Sequence, residues 1–109
     1  MSEYLFLYRG AERPSSPQDA QQIMQKWMTW LQALSDKGHV TDKGQPLDTS
    51  GKVVRKKTVT DGPFAEAKDL VGGYSLIEAD DLAEAVELSK GCPIFDRNGF
   101  VEVRPVMKM

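Results

Sequence analysis

A nine-residue segment, Thr60 to Lys68, is the part of this chain that regular secondary structure accommodates least easily. Gly62 can adopt a positive φ, Pro63 fixes its own φ and has no N–H to donate, and Asp61 can accept hydrogen bonds in a turn. An aromatic residue, Phe64, follows directly. The segment therefore predicts a shaped surface loop, and it is the first place to look for a binding site.

The length of 109 residues predicts one domain, residues 1–109. Apolar residues make up 40% of the chain and charged residues 28%, as in ordinary globular proteins. The net charge of −2 gives no general attraction to nucleic acid or to an anionic membrane. One basic run, residues 52–57, lacks a basic helix or an aromatic platform. We interpret it as a solvated strand or hairpin, and we expect no nucleic-acid partner.

Cys92 is the single cysteine, so the chain has no intramolecular disulfide and no cysteine-based metal site. His39 is the single histidine, which disfavours a metal site built from protein ligands alone. We expect no metal and no cofactor. No apolar run approaches the roughly 18 residues that cross a bilayer, and the first residues lack the features of a signal peptide. These observations predict a cytoplasmic protein without a membrane partner.

Two helices are predicted from capping signals and apolar periodicity. Apolar residues recur at helical spacing from Ala20 to Leu34. Ser16 fits the N-cap of this helix, and Gly38 fits a left-handed end. Asp81 begins the second helix, with an acidic residue three positions later at capping-box spacing. Strands are predicted at residues 4–8, 39–42, 73–79 and 100–106, and the arms of a short hairpin at residues 53–54 and 58–60.

This order, βαβ, then a hairpin, then βαβ, predicts an α+β, ferredoxin-like βαββαβ fold with an inserted hairpin. The first strand is apolar on both sides: Leu5 and Leu7 lie on one face, and Tyr4, Phe6 and Tyr8 lie on the other. Two helices cover only one face of a four-stranded sheet. An aromatic face left in water would form an apolar patch of several hundred Å². We therefore expect a homodimer in which two sheets face each other as a dimeric α+β barrel.

The segment Asp61-Gly62-Pro63-Phe64-Ala65-Glu66, the later Gly72-Gly73-Tyr74 and the final strand Val101 to Pro105 resemble the DGPF-containing branch of the YCII-related family. The resemblance spans nearly the whole chain and implies a dimeric α+β barrel of ferredoxin-like protomers. It also implies an association with extracytoplasmic-function sigma factors, and hence a regulatory role. The fold is similar to that of muconolactone isomerases, which is an analogy at the level of fold.

Enzymatic relatives in the wider YCII family pair a histidine on the first helix with an aspartate that precedes a proline after the second helix. In this chain the position of the histidine falls on Trp27, and that of the aspartate falls on Cys92. Both members of the dyad are therefore expected to be absent. Trp27 is either core or the wall of a pocket. Cys92 is either packed or a reactive thiol at a helix C-terminus, where the dipole raises its pKa.

The remaining candidates for acid–base chemistry are Asp61 and His39. Asp61 accepts backbone N–H groups in its turn, or it orients or deprotonates a small ligand. His39 lies just past a helix C-terminus, where it caps the helix or shuttles a proton. Glu102 and Arg104 share one face of the last strand, as an internal ion pair or as contacts for a polar ligand.

These residues leave three functions open. The first is a ligand-binding or regulatory accessory protein for a small acidic or aromatic molecule, whose site includes Trp27, Cys92 and the loop residues Asp61, Gly62, Pro63 and Phe64. The second is an enzyme of lyase or isomerase type that acts on a small aromatic or carboxylic acid, with Asp61 or His39 as proton shuttle. The third is an interaction module for a sigma factor.

Overall fold

The computed structural model of the chain describes residues 1–63 and 69–109. Phe64, together with the rest of the predicted loop through Lys68, lies outside the described residues. The elements in chain order are the strand β1 (Ser2–Arg9), the helix α1 (Pro17–Asp36), the strands β2 (Val40–Asp42), β3 (Gly51–Val54), β4 (Val59–Gly62) and β5 (Val71–Ala79), the helix α2 (Leu82–Ser89), a 3-10 helix (Pro93–Arg97) and the strand β6 (Phe100–Pro105).

Both helices begin where their capping residues predicted. The Ser16 side chain accepts a hydrogen bond from the Asp19 backbone N–H at 3.0 Å, and Asp81 does the same for Glu84 at 2.8 Å. Each bond satisfies one of the donors that the first turn leaves without an intrahelical partner. At the end of α1, Gly38 adopts a φ of 80°, which ends the helix in the left-handed region.

The main sheet has four strands in the order β2-β5-β1-β6, and all neighbouring strands are antiparallel. The helix α1 connects β1 to β2, and α2 connects β5 to β6, so each helix crosses over one intervening strand. This is the split βαβ arrangement of a ferredoxin-like fold, and it confirms the predicted fold class. The strands β3 and β4 form a separate two-stranded sheet, which is the predicted inserted hairpin.

The two faces of the sheet are assigned in the opposite way to the sequence-based expectation. Tyr4 and Phe6 are 6% and 0% exposed, because this aromatic face lies under the helices. The expectation that the aromatic face awaits a second copy is therefore wrong. The physical reason is volume: the aromatic side chains, with Ile77 and Ile94, fill the space between sheet and helices, where they bury more apolar area than leucines would.

The other face of the sheet is called the open face, because both α-helices of the described chain pack on the opposite side. Cross-strand register places on this face the side chains of Glu3, Leu5, Leu7, Arg9, Tyr74, Leu76, Glu78, Phe100, Glu102 and Arg104. Its centre is a half-buried group of leucine and tyrosine side chains, and its two ends carry charged residues. The prediction that Glu102 and Arg104 share a face is confirmed.

The hairpin accounts for two residues that the sequence placed in an irregular loop. Asp61 and Gly62 belong to β4 and pair with Lys52 and Gly51 of β3. Gly62 does not have a positive φ. A side chain there would instead bring its Cβ to 2.8 Å from the Val53 Cγ2 atom, so a larger residue would force the Val53 side chain to move. The peptide between Gly62 and Pro63 is cis.

Neither helix of the described chain is both long enough and apolar enough to cross a membrane.

Candidate functional site

Four aromatic rings lie between α1 and the sheet, around the positions where the resemblance places a catalytic dyad. The rings of Tyr8 and Trp27 meet edge to face with centroids 4.5 Å apart, and Trp27 meets Trp30 in the same way at 5.8 Å. Phe6 stacks on Trp30 at 6.4 Å. These are favourable aromatic geometries within a packed core. Trp27 therefore occupies this region as a half-buried core residue.

Cys92 lies at the edge of the same core and is 3% exposed. Burial raises the pKa of its thiol to about 12, so the thiol is neutral at physiological pH. Desolvation is the main cause, rather than the helix dipole that the sequence suggested. A neutral, buried thiol is neither a nucleophile nor a general base. Beside it, an open groove of about 730 Å³ has a border that includes Trp30, Lys26 and Phe95.

The polar groups of this core are satisfied within the fold. The Tyr8 hydroxyl donates to the Ser75 Oγ atom at 2.8 Å, and Ser75 donates to the Lys43 carbonyl at 2.6 Å. Burial raises the pKa of Tyr8 well above its ordinary value. No buried side-chain nitrogen or oxygen in residues 1–63 and 69–109 lacks a hydrogen bond. The helix side of the sheet is thus built as a core.

A cavity of about 390 Å³ lies at the Arg9 end of β1, beside the root of the hairpin. Its lining combines one guanidinium, one carboxylate and one hydroxyl with apolar side chains: Arg9, Leu47, Asp48, Ser50, Pro63, Leu70 and Val71. Ionisable groups beside an apolar wall are the usual composition of a small-molecule site.

Arg9 supplies the positive charge of this cavity from the open face of the sheet. Its Nε atom donates to the Glu102 Oε1 atom at 2.8 Å, and its Nη1 atom donates to the Asp69 carbonyl at 2.6 Å. Glu102 is also 3.4 Å from the Nη1 atom of Arg104. The Arg9 side chain is 25% exposed, against 64% for Arg104. The guanidinium is therefore held in one orientation while part of it faces the cavity.

Asp48 reaches the cavity because glycines let its segment approach the sheet. A Cβ on Gly44 would lie 1.6 Å from the Tyr74 carbonyl oxygen, and Gly44 has a φ of 76°. Gly73 lies against the same segment, where a Cβ would be 3.1 Å from the Gln45 carbonyl oxygen. The Leu47 N–H then donates to the Gly72 carbonyl at 2.8 Å. The Gly72-Gly73 pair therefore positions one wall of the cavity.

The Asp48 carboxylate is fixed by its own turn. It accepts the Ser50 backbone N–H at 3.2 Å. The backbone N–H groups of Ser50 and Thr49 lower the pKa of Asp48, so the carboxylate is ionised at neutral pH. The cavity thus offers a negatively charged hydrogen-bond acceptor, Asp48, as well as a cation, Arg9.

Asp61, the acidic candidate from the sequence, is placed differently. Its carboxylate is 90% exposed and forms an ion pair with Lys52 on the hairpin. The structure gives it this side-chain partner in place of the backbone N–H groups expected from a turn. Of the loop candidates, Pro63 lines the cavity, Gly62 precedes it in β4, and Phe64 is not among the described residues.

His39 lies at the other end of the sheet. Its backbone N–H donates to the Leu34 carbonyl at 3.0 Å, and its Nδ1 atom is 2.8 Å from the Glu78 carbonyl oxygen. Because a carbonyl only accepts, Nδ1 carries the proton. Glu78 and Val71 are seven residues apart on β5, a distance of about 23 Å at strand rise. His39 and the cavity therefore do not converge.

The sequence did not single out Arg9 or Asp48 as site residues. A signal for Arg9 was present: alternation along β1 puts it on the face of Leu5 and Leu7, and the same count puts Glu102 on a shared face of β6. No comparable signal marked Asp48, because the close approach of its segment to β5 depends on tertiary contacts. No cluster of three or more potential metal ligands occurs among the described residues.

Comparison with solved structures finds the same fold in 5-chloro-2-hydroxyhydroquinone dehydrochlorinase (TftG) from Burkholderia phenoliruptrix, in complex with 2,5-dihydroxybenzoquinone. The match has a TM-score of 0.55 and 19% sequence identity, and it covers 98% of this chain and 95% of that one. At this identity the likeness concerns the fold. Comparison with curated protein sequences finds no match.

The sequence profile of the YCII-related domain matches residues 4–109. That range includes the cavity, the aromatic core and the hairpin. The chain therefore belongs to the YCII-related family.

Proposed function

We propose that the protein binds a small hydroxylated aromatic or carboxylic acid in the Arg9 cavity, and that it acts as a ligand-binding or regulatory accessory protein. The observation that carries this proposal is the oriented guanidinium of Arg9 at a cavity of about 390 Å³ whose other walls are mainly apolar. This volume falls within the range of small-molecule sites.

The chemistry of the lining selects the ligand. A carboxylate or phenolate would face the Arg9 guanidinium, since charge-assisted hydrogen bonds from arginine are short and strong. A hydroxyl group at the other end of the ligand would donate to the Asp48 carboxylate. Leu47, Leu70 and Val71 would cover an apolar ring. A molecule with both an acidic group and a hydroxyl group on one ring meets all three requirements.

A binding role agrees with the state of the dyad positions. Trp27 is a half-buried partner of Tyr8, and Cys92 is a neutral, buried thiol. Neither side chain performs the proton transfer that a histidine and an aspartate would supply. Other positions would have to supply any chemistry in this chain.

The experiment is a thermal-shift screen with hydroxybenzoates and small dicarboxylates, followed by calorimetry on the strongest hit. A ligand at one hundred times its Kd stabilises the folded state by about 2.7 kcal/mol, which raises the Tm of a domain of this size by about 10 °C or more. Arg9→Gln should weaken binding at least about tenfold, because it removes a charged hydrogen bond.

Arg104→Gln is the matched control. Arg104 contacts the same glutamate as Arg9 but does not line the cavity, so its substitution should change the affinity less than about threefold. Equal loss of binding in both variants would reject the cavity as the site, and a hit that binds Arg9→Gln unchanged would do the same.

An enzyme of lyase or isomerase type is the second candidate. The similarity in fold to a dehydrochlorinase bound to a dihydroxybenzoquinone favours it, since that ligand belongs to the class selected by the cavity. Its test is chloride release from 5-chloro-2-hydroxyhydroquinone by the purified protein. Asp48→Asn should abolish release if the cavity carboxylate accepts the proton, whereas Asp61→Asn and His39→Gln should abolish it if the sequence-based shuttles do.

We further propose that the protein is a homodimer, since the half-buried leucines and Tyr74 of the open face form an apolar surface that a second sheet would cover. A stable monomer at micromolar concentration in sedimentation equilibrium would contradict this.

We assign the chain to the DGPF-containing branch on the segment that begins at Asp61. A cytoplasmic location and a link to a sigma factor stay predictions.

A further inference from the structure

The hairpin formed by β3 and β4 stands apart from the rest of the fold. It is a sheet of its own, with four residues in each strand. A two-stranded hairpin is marginally stable in water unless a further surface covers it. Two apolar side chains, Val54 and Val59, form a cross-strand pair near its end and are 73% and 63% exposed. The hairpin thus presents a surface that suits a partner.

The end of the hairpin is basic, while the rest of the chain is acidic. Residues 51–62 contain four basic residues and one acidic residue, so the hairpin carries a charge of +3. The remainder has ten basic and fifteen acidic residues, a charge of −5. The turn joins Arg55 to Thr58, whose backbone groups hydrogen-bond at 2.7 Å, with Lys56 and Lys57 at its tip. This separation of charge favours contact between the hairpin and another part of the same kind of chain.

The open face has an acidic pair at the end opposite to the hairpin. Glu3 and Glu78 are direct cross-strand neighbours on that face. Like charges in this position destabilise a sheet. Neither carboxylate forms an ion pair with another side chain in the described part of the molecule. A lysine supplied from outside the chain would relieve the repulsion.

The geometry points to a second copy of this chain, and we infer that the hairpin is an arm that clasps the partner subunit of the homodimer. The root of the hairpin, at Ser50 and Pro63, borders the same cavity as Arg9, whose side chain lies on the open face. Packed sheets are about 10 Å apart, and a strand of four residues spans about 13 Å. The arm is therefore long enough to reach the facing sheet.

The charges also select the orientation of the two sheets. A twofold axis perpendicular to the strands places the Arg9 end of one sheet over the acidic end of the other. Lys56 and Lys57 of each arm then meet Glu3 and Glu78 of the facing subunit. An axis parallel to the strands would instead place each arm at the end of the facing sheet that carries Arg9, which would repel its lysines. This inference rests on the proposed homodimer and specifies its contacts.

The first test is charge reversal measured by sedimentation equilibrium. Lys56→Glu with Lys57→Glu should raise the dimer Kd about tenfold or more, because twofold symmetry repeats each altered contact. Glu3→Lys with Glu78→Lys should do the same, and the four substitutions together should restore the wild-type Kd. Lys26→Glu with Lys90→Glu, an equal change of charge on the helix side, is the control and should leave the Kd unchanged.

The second test is disulfide trapping, which holds even if the reversals perturb folding. Lys56→Cys with Glu78→Cys should give a covalent dimer under mild oxidation, while Lys56→Cys with Glu102→Cys should give none. Crosslinking of the second variant alone would overturn the inferred orientation. If the wild-type protein dimerises and the reversal of the hairpin lysines leaves the dimer Kd unchanged, the arm is overturned while the homodimer stands. A wild-type monomer at every concentration would reject both, whereas ligand binding at Arg9 is measured separately.

Discussion

The two sides of the sheet in this protein differ in their chemistry. On the helix side, Tyr8, Trp27 and Trp30 pack ring against ring, and Cys92 is buried and neutral. At the end of the open face, the Arg9 guanidinium lies beside a cavity. The family resemblance directs attention to the first region. The arrangement of charges directs it to the second. The positions to which the resemblance points are thus core, while a cavity with charged groups lies at the end of the open face of the same sheet.

The largest effect is expected when an acid is placed at the dyad position on the helix side. Cys92→Asp should destabilise the protein by about 3–5 kcal/mol, because it places an unpaired carboxylate where the native side chain is 3% exposed. Urea unfolding measures the loss. Cys92→Ala, which removes the thiol without adding charge, should cost only about 1 kcal/mol. A Cys92→Asp protein as stable as wild type would mean that this region is not core.

The dependence of stability on pH tests whether Cys92 is buried on the helix side. Because the Cys92 pKa is about 12 in the folded protein and 9.0 ordinarily, the unfolded chain loses this proton first. The contribution of this thiol to the free energy of unfolding is fully present below pH 9 and declines between pH 9 and pH 12, by at most about 1.4 kcal/mol for each pH unit. Ionisation of Tyr8 adds a further decline in the free energy of unfolding above pH 10. Cys92→Ala should flatten the curve between pH 9 and pH 10; identical curves for both proteins would refute the assignment.

The buried hydrogen bonds of Ser75 should also count toward stability. Ser75→Ala leaves the Tyr8 hydroxyl and the Lys43 carbonyl without their partner and should cost about 1–3 kcal/mol. Tyr8→Phe removes only one of the two bonds, since Ser75 still donates to Lys43, and should cost about 0.5–1.5 kcal/mol. Denaturant unfolding of the two variants side by side decides the order. The reverse order would show that the phenol matters more than the chain of bonds.

At the cavity, we predict the direction in which a substitution of Glu102 changes the affinity for an acidic ligand. Glu102 competes with an acidic ligand for the Arg9 guanidinium, which its Oε1 atom contacts at 2.8 Å. Glu102→Gln should therefore raise the affinity for a screened acid about twofold to fivefold, as expected for the removal of a partly exposed ion pair. Isothermal calorimetry at low salt gives the ratio. Weaker binding would mean that Glu102 orients Arg9 more than it competes with the ligand.

The smallest effect is expected at the residue that first attracted attention. Asp61→Asn should change the unfolding free energy by less than about 0.5 kcal/mol, since its ion pair with Lys52 is largely exposed. It should leave affinity at the Arg9 cavity within about twofold, because Asp61 is not part of the lining. Calorimetry and urea unfolding check both values. A larger loss of affinity would place Asp61 in the site after all.

Much of the fold was predictable because its signals are local. Ser16 and Asp81 cap the helices where the sequence placed them, and Gly38 ends α1. Strand alternation also placed Glu102 and Arg104 on one face. The site was less predictable. Asp61 was expected in a turn and pairs instead across a hairpin, because pairing with Lys52 depends on the register of two strands. His39 was expected to cap α1 or to shuttle a proton; its backbone N–H donates to the Leu34 carbonyl, and its ring contacts the Glu78 carbonyl.

The sequence by itself determined the order of elements, the ends of both helices and the alternation of side chains along each strand, because these depend on residues a few positions apart. The tertiary structure decided which face of the sheet the helices cover and which polar groups meet. Aromatic volume put Tyr8 inside, and the close approach that Gly44 and Gly73 allow brought Asp48 to the cavity beside Arg9. Contacts between residues about forty positions apart arise only when packing chooses among arrangements that share the same local pattern.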